Sequence, residues 1–144
     1  LEAGKSIIIR NPNATRPWQH VLDPLHGYLS LAAALANKTA RHGDSWNFGP
    51  DLDKGRTVQE LAAAAVAVWG SGSVKVKPAN ADQYEHRLLQ LSIDKAKLEL
   101  GWRPRWNGDQ AINAAIAWYK RVLEGEPANV VSAEQISKFL ETAT

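Results

Sequence analysis

Cysteine, methionine and long hydrophobic runs are all missing from this 144-residue sequence. Without cysteine the chain can form neither disulfide bonds nor thiolate metal sites, and it gives no sign of secretion. The longest apolar run, from Leu61 to Trp69, is far shorter than the roughly 20 residues that span a bilayer. The N-terminus lacks the pattern of a signal peptide. We therefore expect a cytoplasmic protein without membrane contact, and the start at Leu1 predicts a piece of a longer protein.

An excess of one charge is also missing, since the formal net charge is only +2 and charged residues make up 22% of the chain. This small and scattered excess of lysine and arginine argues against a nucleic-acid partner. Hydrophobic residues make up 44%, which is enough for a single domain with a packed core. We expect one compact unit without internal repeats.

The motifs of several common active sites are absent as well. None of the three tyrosines has a lysine four residues later, so no Tyr-x-x-x-Lys proton relay is present. The glycines at 70 and 72 follow a predicted helix and lack the third glycine of a dinucleotide-binding turn. The segment 49–57 fails as a phosphate loop, because Arg56 stands where a lysine is required. The four histidines have no metal-ligand spacing. We expect no catalytic residue, cofactor or metal in this chain.

The pattern of apolar residues predicts an α/β fold that is rich in helices and has short strands. Runs of β-branched and aromatic residues bounded by glycine or proline predict the strands, and apolar residues at helical spacing predict the helices. The predicted strands cover 6–10, 19–22, 45–49, 74–77 and 88–91. The predicted helices cover 23–38, 57–69, 92–101, 109–125 and 132–140.

Polar residues before the predicted helices indicate how the first free N–H groups are satisfied. Asp23 and Ser92 are typical N-cap residues. Thr57 and Ser132 are each followed three residues later by glutamate or glutamine, which predicts two capping boxes. Gly101 follows a predicted helix at the position where a left-handed residue commonly ends it.

The segment 10–24 carries the strongest candidate for ligand binding. Arg16 is followed by Pro17 and Trp18, which stiffen the loop and reduce the entropy lost when the arginine is held in place. A guanidinium presents several donors in a fixed geometry, so it suits a diphosphate better than lysine does. A loop arginine paired with a surface carboxylate is the alternative that the residues alone leave open.

Three landmarks resemble the CDP-glucose 4,6-dehydratases, within the extended short-chain dehydrogenase/reductase family. They read RNP, RPWQHVL and GYL over 10–29, WNFGP over 46–50, and YEHRLLQLS followed by KA and LGWRP over 84–104. The resemblance extends over almost the whole chain. Tyr84 stands where the family usually has histidine, and Ser92 where it usually has aspartate. The first departure leaves the choice of nucleotide base open.

The resemblance implies which residues bind substrate. Arg16 would contact the diphosphate of a sugar nucleotide, and Asn47 and Arg87 would lie near the phosphates. Glu85 would accept hydrogen bonds from ribose hydroxyls. Apart from the resemblance, flat rings bind the apolar faces of hexoses, which leaves Trp18 and Trp46 as open candidates for contact with the sugar. Asn47 as a turn residue and Arg87 as a charge at a strand edge are alternatives that stay open.

The resemblance also implies a fold and an activity. Residues 1–144 would form the substrate-binding domain of an extended short-chain dehydrogenase/reductase without its Rossmann half. The parent enzyme would be an NAD-dependent lyase that converts CDP-D-glucose to the 4-keto-6-deoxy sugar, a step towards surface polysaccharides. NAD would be bound by the missing N-terminal domain, so this chain alone is expected to be inactive.

Alternative functions remain at this point. They are a non-enzymatic sugar-nucleotide-binding module, another NDP-sugar epimerase or dehydratase, and a helical interaction domain without a small-molecule ligand. In similar enzymes the elements around 20–49 pack close to the nucleotide-binding sheet. We therefore expect an exposed apolar patch there, with self-association or a homo-oligomer as the result.

Overall fold

The computed structural model describes residues 1, 4–51, 56–77 and 89–142. These residues form a mixed α/β domain in which helices predominate beside a small parallel sheet, so the predicted fold class is confirmed. The elements in chain order are β1 (Ile7–Ile9), α1 (Leu22–Ala36), α2 (Val58–Trp69), β2 (Val74–Val76), α3 (Asp94–Glu99), α4 (Gly108–Leu123) and α5 (Ala128–Glu141).

The sheet pairs β1 with β2 in parallel, with Ile7 opposite Val74 and Ile9 opposite Val76. β-Branched side chains pack well on a pleated surface, which explains why these short runs form strands. Ile9 is buried, and α2 packs against both strands. The strands predicted over 6–10 and 74–77 are therefore confirmed.

The start and end of α2 match the sequence prediction. The Thr57 hydroxyl accepts the N–H of Glu60, and the Glu60 carboxylate accepts the N–H of Thr57 at 2.8 Å. Gly70 ends the helix with a φ of 89°, in the left-handed region that glycine adopts without strain. Ala62 and Ala65 form the buried face, and the main helical partner of α2 is α4.

Two predicted strands are wrong. Over 19–22 the chain turns into α1, because His20 Nδ1 accepts the N–H of Leu22 and the His20 carbonyl accepts the N–H of Asp23. The segment 45–49 has no place in a β-ladder, since the described residues contain one sheet made of β1 and β2. The predicted strand over 88–91 begins outside the described residues, and residues 89–91 form no strand.

Several helix starts also differ from the prediction. α1 begins at Leu22, so Asp23 lies inside its first turn and does not cap it. Before α3, the Ser92 hydroxyl donates to the Asp94 carboxylate at 3.0 Å and makes no cap to the backbone. α4 begins at Gly108 after an Asn107–Gln110 capping box, one residue before the predicted start.

The capping box predicted at Ser132 is wrong. α5 begins at Ala128, and Ser132 lies one turn inside it. The Ser132 hydroxyl donates to the Ala128 carbonyl at 2.7 Å and accepts the indole N–H of Trp118 at 3.0 Å. The serine therefore joins α5 to α4 and does not start a helix.

The core includes two aromatic groups, and α1 contacts both, through Tyr28 on Phe48 and His26 on Phe139. Phe48, Ile93 and Trp102 are buried together, and the rings of Phe48 and Trp102 are 4.9 Å apart. Trp106 packs between His20 and Phe139, at ring distances of 4.8 and 5.2 Å. Among the described residues, no helix is both long and apolar enough to cross a bilayer.

Candidate functional site

A cleft of about 360 Å³ opens where the loop after β1 meets the start of α4. We call it the arginine cleft, because Arg16, Arg56 and Arg105 all contribute to its wall. Its described lining residues are 15–18, 50–51, 56, 89–90, 104–108 and 110.

The loop that carries Arg16 is attached to the start of α2. Thr15 and Thr57 form an antiparallel bridge. The carbonyl groups of Ala14 and Pro12 accept the N–H groups of Val58 and Gln59, at 2.9 and 3.0 Å. The first turn of a helix has N–H groups without partners inside the helix, so the loop satisfies donors that α2 needs to pair.

Arg16 lies in the wall of the arginine cleft and is half-buried. Its Nη1 donates to the Thr15 carbonyl at 2.8 Å. The N–H of Trp18 donates to the Arg16 carbonyl at 2.8 Å across Pro17, which forms a tight three-residue turn. The turn fixes the backbone that carries the guanidinium, as the proline predicts.

Trp18 lines the same cleft and is half-buried. Its indole Nε1 is buried and has no hydrogen-bond partner among the described residues. Trp106 also lines the cleft and donates its own indole N–H to the Thr142 hydroxyl at 3.2 Å. The two indoles give the cleft aromatic surface beside its cationic groups.

Arg56 and Arg105 have different partners. Arg56 makes an ion pair with Asp109 in the first turn of α4. The Nη1 of Arg105 donates to the carbonyl groups of Leu140 and Thr142, each at 3.0 Å, at the end of α5. These carbonyls have no partner inside the helix, so Arg105 has a structural role.

The electrostatics of the arginine cleft favour an anion. Its described lining residues include three guanidinium groups and one carboxylate, that of Asp51, which is itself paired with Lys97. Asn107 and Gly108 place the N-terminus of α4 in the wall. The Asn107–Gln110 capping box occupies its first donors, so its contribution there is the partial positive charge of the helix dipole.

Asn47 does not belong to the described lining of the arginine cleft. It is exposed, and its Nδ2 donates to the Ser92 carbonyl at 3.2 Å. This hydrogen bond fits the alternative reading as a turn residue. Glu85 and Arg87 lie outside the described residues, so their predicted contacts with ribose and phosphate remain predictions.

The other tryptophans are held by packing. Trp46 packs on the Phe48 group and lies under the ammonium of Lys95, 4.3 Å from the ring centre. Trp102 and Trp106 are buried, and Trp118 is bonded to Ser132. Trp18 and Trp106 are the two tryptophans that the described residues place in the cleft wall.

Three ionisable side chains on α1 and just before it have shifted pKa values and lie outside the described lining of the arginine cleft. Burial lowers the pKa of His20, and burial followed by the charge of Arg105 lowers the pKa of His26. Burial raises the pKa of Asp23, while the backbone N–H of Arg105 opposes the shift. All three are packed into the structure and are poor candidates for proton transfer to a ligand.

Arg56 and the start of α4 were not predicted as parts of the site. Arg56 stands just before a capping box, which the sequence shows. Its position next to Arg16 depends on the Thr15–Thr57 bridge, which the sequence does not show. The start of α4 was predicted one residue late, which hid Asn107 and Gly108.

The described residues do not fit a bound NAD. The loop at 10–17 that follows β1 is bounded by prolines, where a dinucleotide site needs a glycine-rich turn into a helix. The start of α2 is closed by its capping box. Among the described residues, no three histidine, aspartate or glutamate side chains form a metal-binding group.

The chain is 34% identical over all of its 144 residues to CDP-glucose 4,6-dehydratase of Salmonella typhimurium. The match is to the C-terminal part of that enzyme, and the chain spans 40% of its length. No protein-family model matches the chain.

Solved structures with the same fold are also enzymes that the chain matches only in part. The dTDP-glucose 4,6-dehydratase of Bacillus anthracis in complex with NAD has a TM-score of 0.65 at 20% identity, over 83% of this chain and 36% of that one. The UDP-glucose 4-epimerase of Thermotoga maritima with UDP-glucose has a TM-score of 0.64 at 20% identity, over 85% of this chain and 37% of that one.

A third structure, RMD of Pseudomonas aeruginosa complexed with NADPH, has a TM-score of 0.61 at 18% identity, over 83% of this chain and 37% of that one. The family resemblance of the three landmarks is thus confirmed. Over its whole length the chain is a relative of the C-terminal part of CDP-glucose 4,6-dehydratase, with the fold of the corresponding part of extended short-chain dehydrogenase/reductase dehydratases and epimerases.

Proposed function

We propose that this chain is the substrate-binding part of a sugar-nucleotide 4,6-dehydratase and that it binds the diphosphate of a CDP-sugar in the arginine cleft. The observation that carries the proposal is the position of Arg16. Its guanidinium lies in the wall of a cleft of about 360 Å³ with an excess of positive charge and two indole rings. Guanidinium groups bind phosphate oxygens through two parallel hydrogen bonds, which fixes orientation as well as affinity.

The dehydration itself belongs to the region that precedes this chain in its relative. The sequence contains no Tyr-x-x-x-Lys pair, and its described residues do not fit NAD. The contribution of this chain is to hold the nucleotide end of the substrate, so that the sugar is oriented towards reacting groups supplied elsewhere. Binding energy from a remote group lowers the barrier when it fixes the geometry of the reacting atoms.

Calorimetric titration of the purified chain with CDP, UDP and dTDP tests the proposal. We expect CDP to bind and Arg16→Ala to weaken the binding about ten- to a hundredfold, since a hydrogen bond to a charged group contributes about 1.5–3 kcal/mol. Arg41→Ala is the matched control, because Arg41 is exposed and lies outside the described lining of the cleft. Equal loss in both variants, or no binding of any nucleotide, contradicts the proposal.

The predicted roles of Trp18, Asn47, Glu85 and Arg87 belong to the same proposal. Trp18→Ala is expected to weaken binding of a CDP-hexose more than binding of CDP, because the ring is proposed to pack on the sugar. Asn47→Ala is expected to weaken both ligands equally, since the amide is proposed to act on the phosphates. If Asn47→Ala binds both ligands as tightly as the unmodified chain, the alternative is supported, in which Asn47 is a turn residue held by its hydrogen bond to Ser92.

We also propose that a second copy of the chain covers the outer face of α1. Val21, Leu25, Tyr28 and Leu29 are 60, 46, 59 and 71% exposed, and helical spacing places them on one stripe. The side chains of α1 that can carry a charge near neutral pH are Asp23, which is buried, and His26, which packs on Phe139. Two copies can therefore meet through identical faces without charge repulsion.

A further inference from the structure

Arg16 and Arg56 occupy neighbouring positions on two chain segments that run in opposite directions. The bridge between Thr15 and Thr57 is antiparallel. In such a pair, the residue after the first bridged position faces the residue before the second. This register brings Arg16 and Arg56 to adjacent positions, and both side chains line the arginine cleft.

Two guanidinium groups at adjacent cross-strand positions repel each other. Asp109 offsets part of this repulsion through its ion pair with Arg56. The pair is partly open to solvent, because the side chains of Arg56 and Asp109 are 32 and 61% exposed. An ion pair in contact with water is weak, so a ligand with a higher charge can displace the carboxylate.

The surroundings of both partners allow this exchange. Asp109 lies in the first turn of the 16-residue helix α4, where the helix dipole stabilises a carboxylate after its partner has left. Arg56 passes over Gly108, and a Cβ at that position would lie 3.7 Å from Arg56 Cδ. The start of α4 therefore supports the arginine side chain without blocking it.

We infer that Arg56 is the second arm of a clamp on the substrate diphosphate, and that it exchanges Asp109 for a phosphate group when the ligand binds. The inference rests on the proposed function, since it assigns a further residue to the same cleft. Arg16 holds one phosphate group from the loop after β1, and Arg56 holds the other from the segment before α2. A nucleoside diphosphate engages both arms, and a nucleoside monophosphate engages one.

The test is titration of CDP and CMP into the chain and its variants. Arg56→Gln is expected to weaken CDP binding about tenfold or more, with a smaller effect on CMP. Asp109→Asn is expected to strengthen CDP binding several-fold, because it removes the competing partner of Arg56. The double variant is expected to bind CDP as weakly as Arg56→Gln, because the gain acts through the arginine.

The two variants distinguish a clamp from a structural ion pair. If the pair only stabilises the start of α4, Arg56→Gln and Asp109→Asn weaken binding and thermal stability together, and that result overturns the inference. Arg56→Lys keeps the charge without the forked geometry, so the clamp predicts an intermediate CDP affinity from a chain that folds normally. If Arg56→Gln leaves CDP binding unchanged while Arg16→Ala abolishes it, the clamp is wrong and the proposed function stands. If the unmodified chain binds no CDP, both are wrong.

Discussion

The Asp23 carboxylate, in the first turn of α1, accepts the backbone N–H of Arg105, with 2.7 Å between Asp23 Oδ1 and the Arg105 nitrogen. Asp23 is fully buried, and 82 positions of sequence separate the partners. The hydrogen bond attaches α1 to the segment that forms one wall of the arginine cleft and then leads into α4. Arg105 in turn binds the last carbonyls of α5, so one short segment holds three helices in place.

Asp23→Ala is expected to destabilise the protein by about 1–3 kcal/mol, because it leaves the partly buried N–H of Arg105 without its acceptor. The free energy of unfolding from urea titration measures the loss. Asp94→Ala is the control, since Asp94 is exposed and its carboxylate binds a neighbouring serine hydroxyl. Equal stability of the two variants would show that the Asp23–Arg105 hydrogen bond contributes little.

The stability of the protein is expected to fall as the pH drops below the ordinary histidine value of 6.5. Burial lowers the pKa of His20 and of His26 in the folded state, so the unfolded chain binds more protons in this range. Stability is then complete above the unfolded pKa and is lost as the pH falls towards the folded pKa. Asp23 acts in the opposite direction, because burial raises its pKa from 3.8 in the folded state, so its contribution is lost as the pH rises through that raised value.

Urea midpoints measured between about pH 8 and pH 5 check this dependence. His20→Asn should flatten the curve, because the asparagine oxygen can accept the N–H of Leu22 but does not titrate. His42→Asn is the control, since His42 is exposed. A curve that is equally steep in both variants would contradict the assignment to His20.

Gly27→Ala is expected to destabilise α1 and the core by about 1–3 kcal/mol. A Cβ at Gly27 would lie 2.3 Å from Cδ1 of Phe48, whose ring also packs on Trp102. The melting temperature of the variant measures the cost. Ser30→Ala, on the same helix, removes a hydroxyl bonded to the His26 carbonyl and should cost less. A small change for Gly27→Ala would mean that the Phe48 ring moves freely.

Sedimentation of the isolated chain is expected to show a concentration-dependent dimer formed through the outer face of α1. Leu29→Glu should dissociate the dimer, because each of the two copies would then bring one negative charge to the interface. Leu98→Glu is the control, since Leu98 is 85% exposed on α3. A monomer at all concentrations would contradict the proposal of a second copy.

The elements that were predicted correctly are those whose signals lie within a few consecutive residues of the sequence. The capping box at Thr57 and the glycine at 70 determine α2 by themselves, because both act within one helical turn. The Ser132 segment fits the same capping-box pattern but was misleading, since its hydroxyl accepts the indole N–H of Trp118 from another helix. Local pattern alone cannot distinguish these two cases.

The strand predicted over 45–49 failed for a related reason. A strand needs a hydrogen-bonded neighbour, and the described part of the chain offers none beside Phe48. The candidate site was predicted only in part, because it too depends on contacts between distant segments. Arg16 could be predicted from its own proline-bounded loop, whereas Arg56 reaches the cleft through a bridge between residues 42 positions apart (57 minus 15).

The hydrogen bonds from Val58 and Gln59 to the loop at 12–14 couple the binding loop to the start of α2. These amide protons can exchange with solvent only when the loop lifts away, so loop and helix end open as one unit. Their deuterium uptake would thus report on the loop that carries Arg16. A ligand held by Arg16 should therefore slow exchange in the first turn of α2.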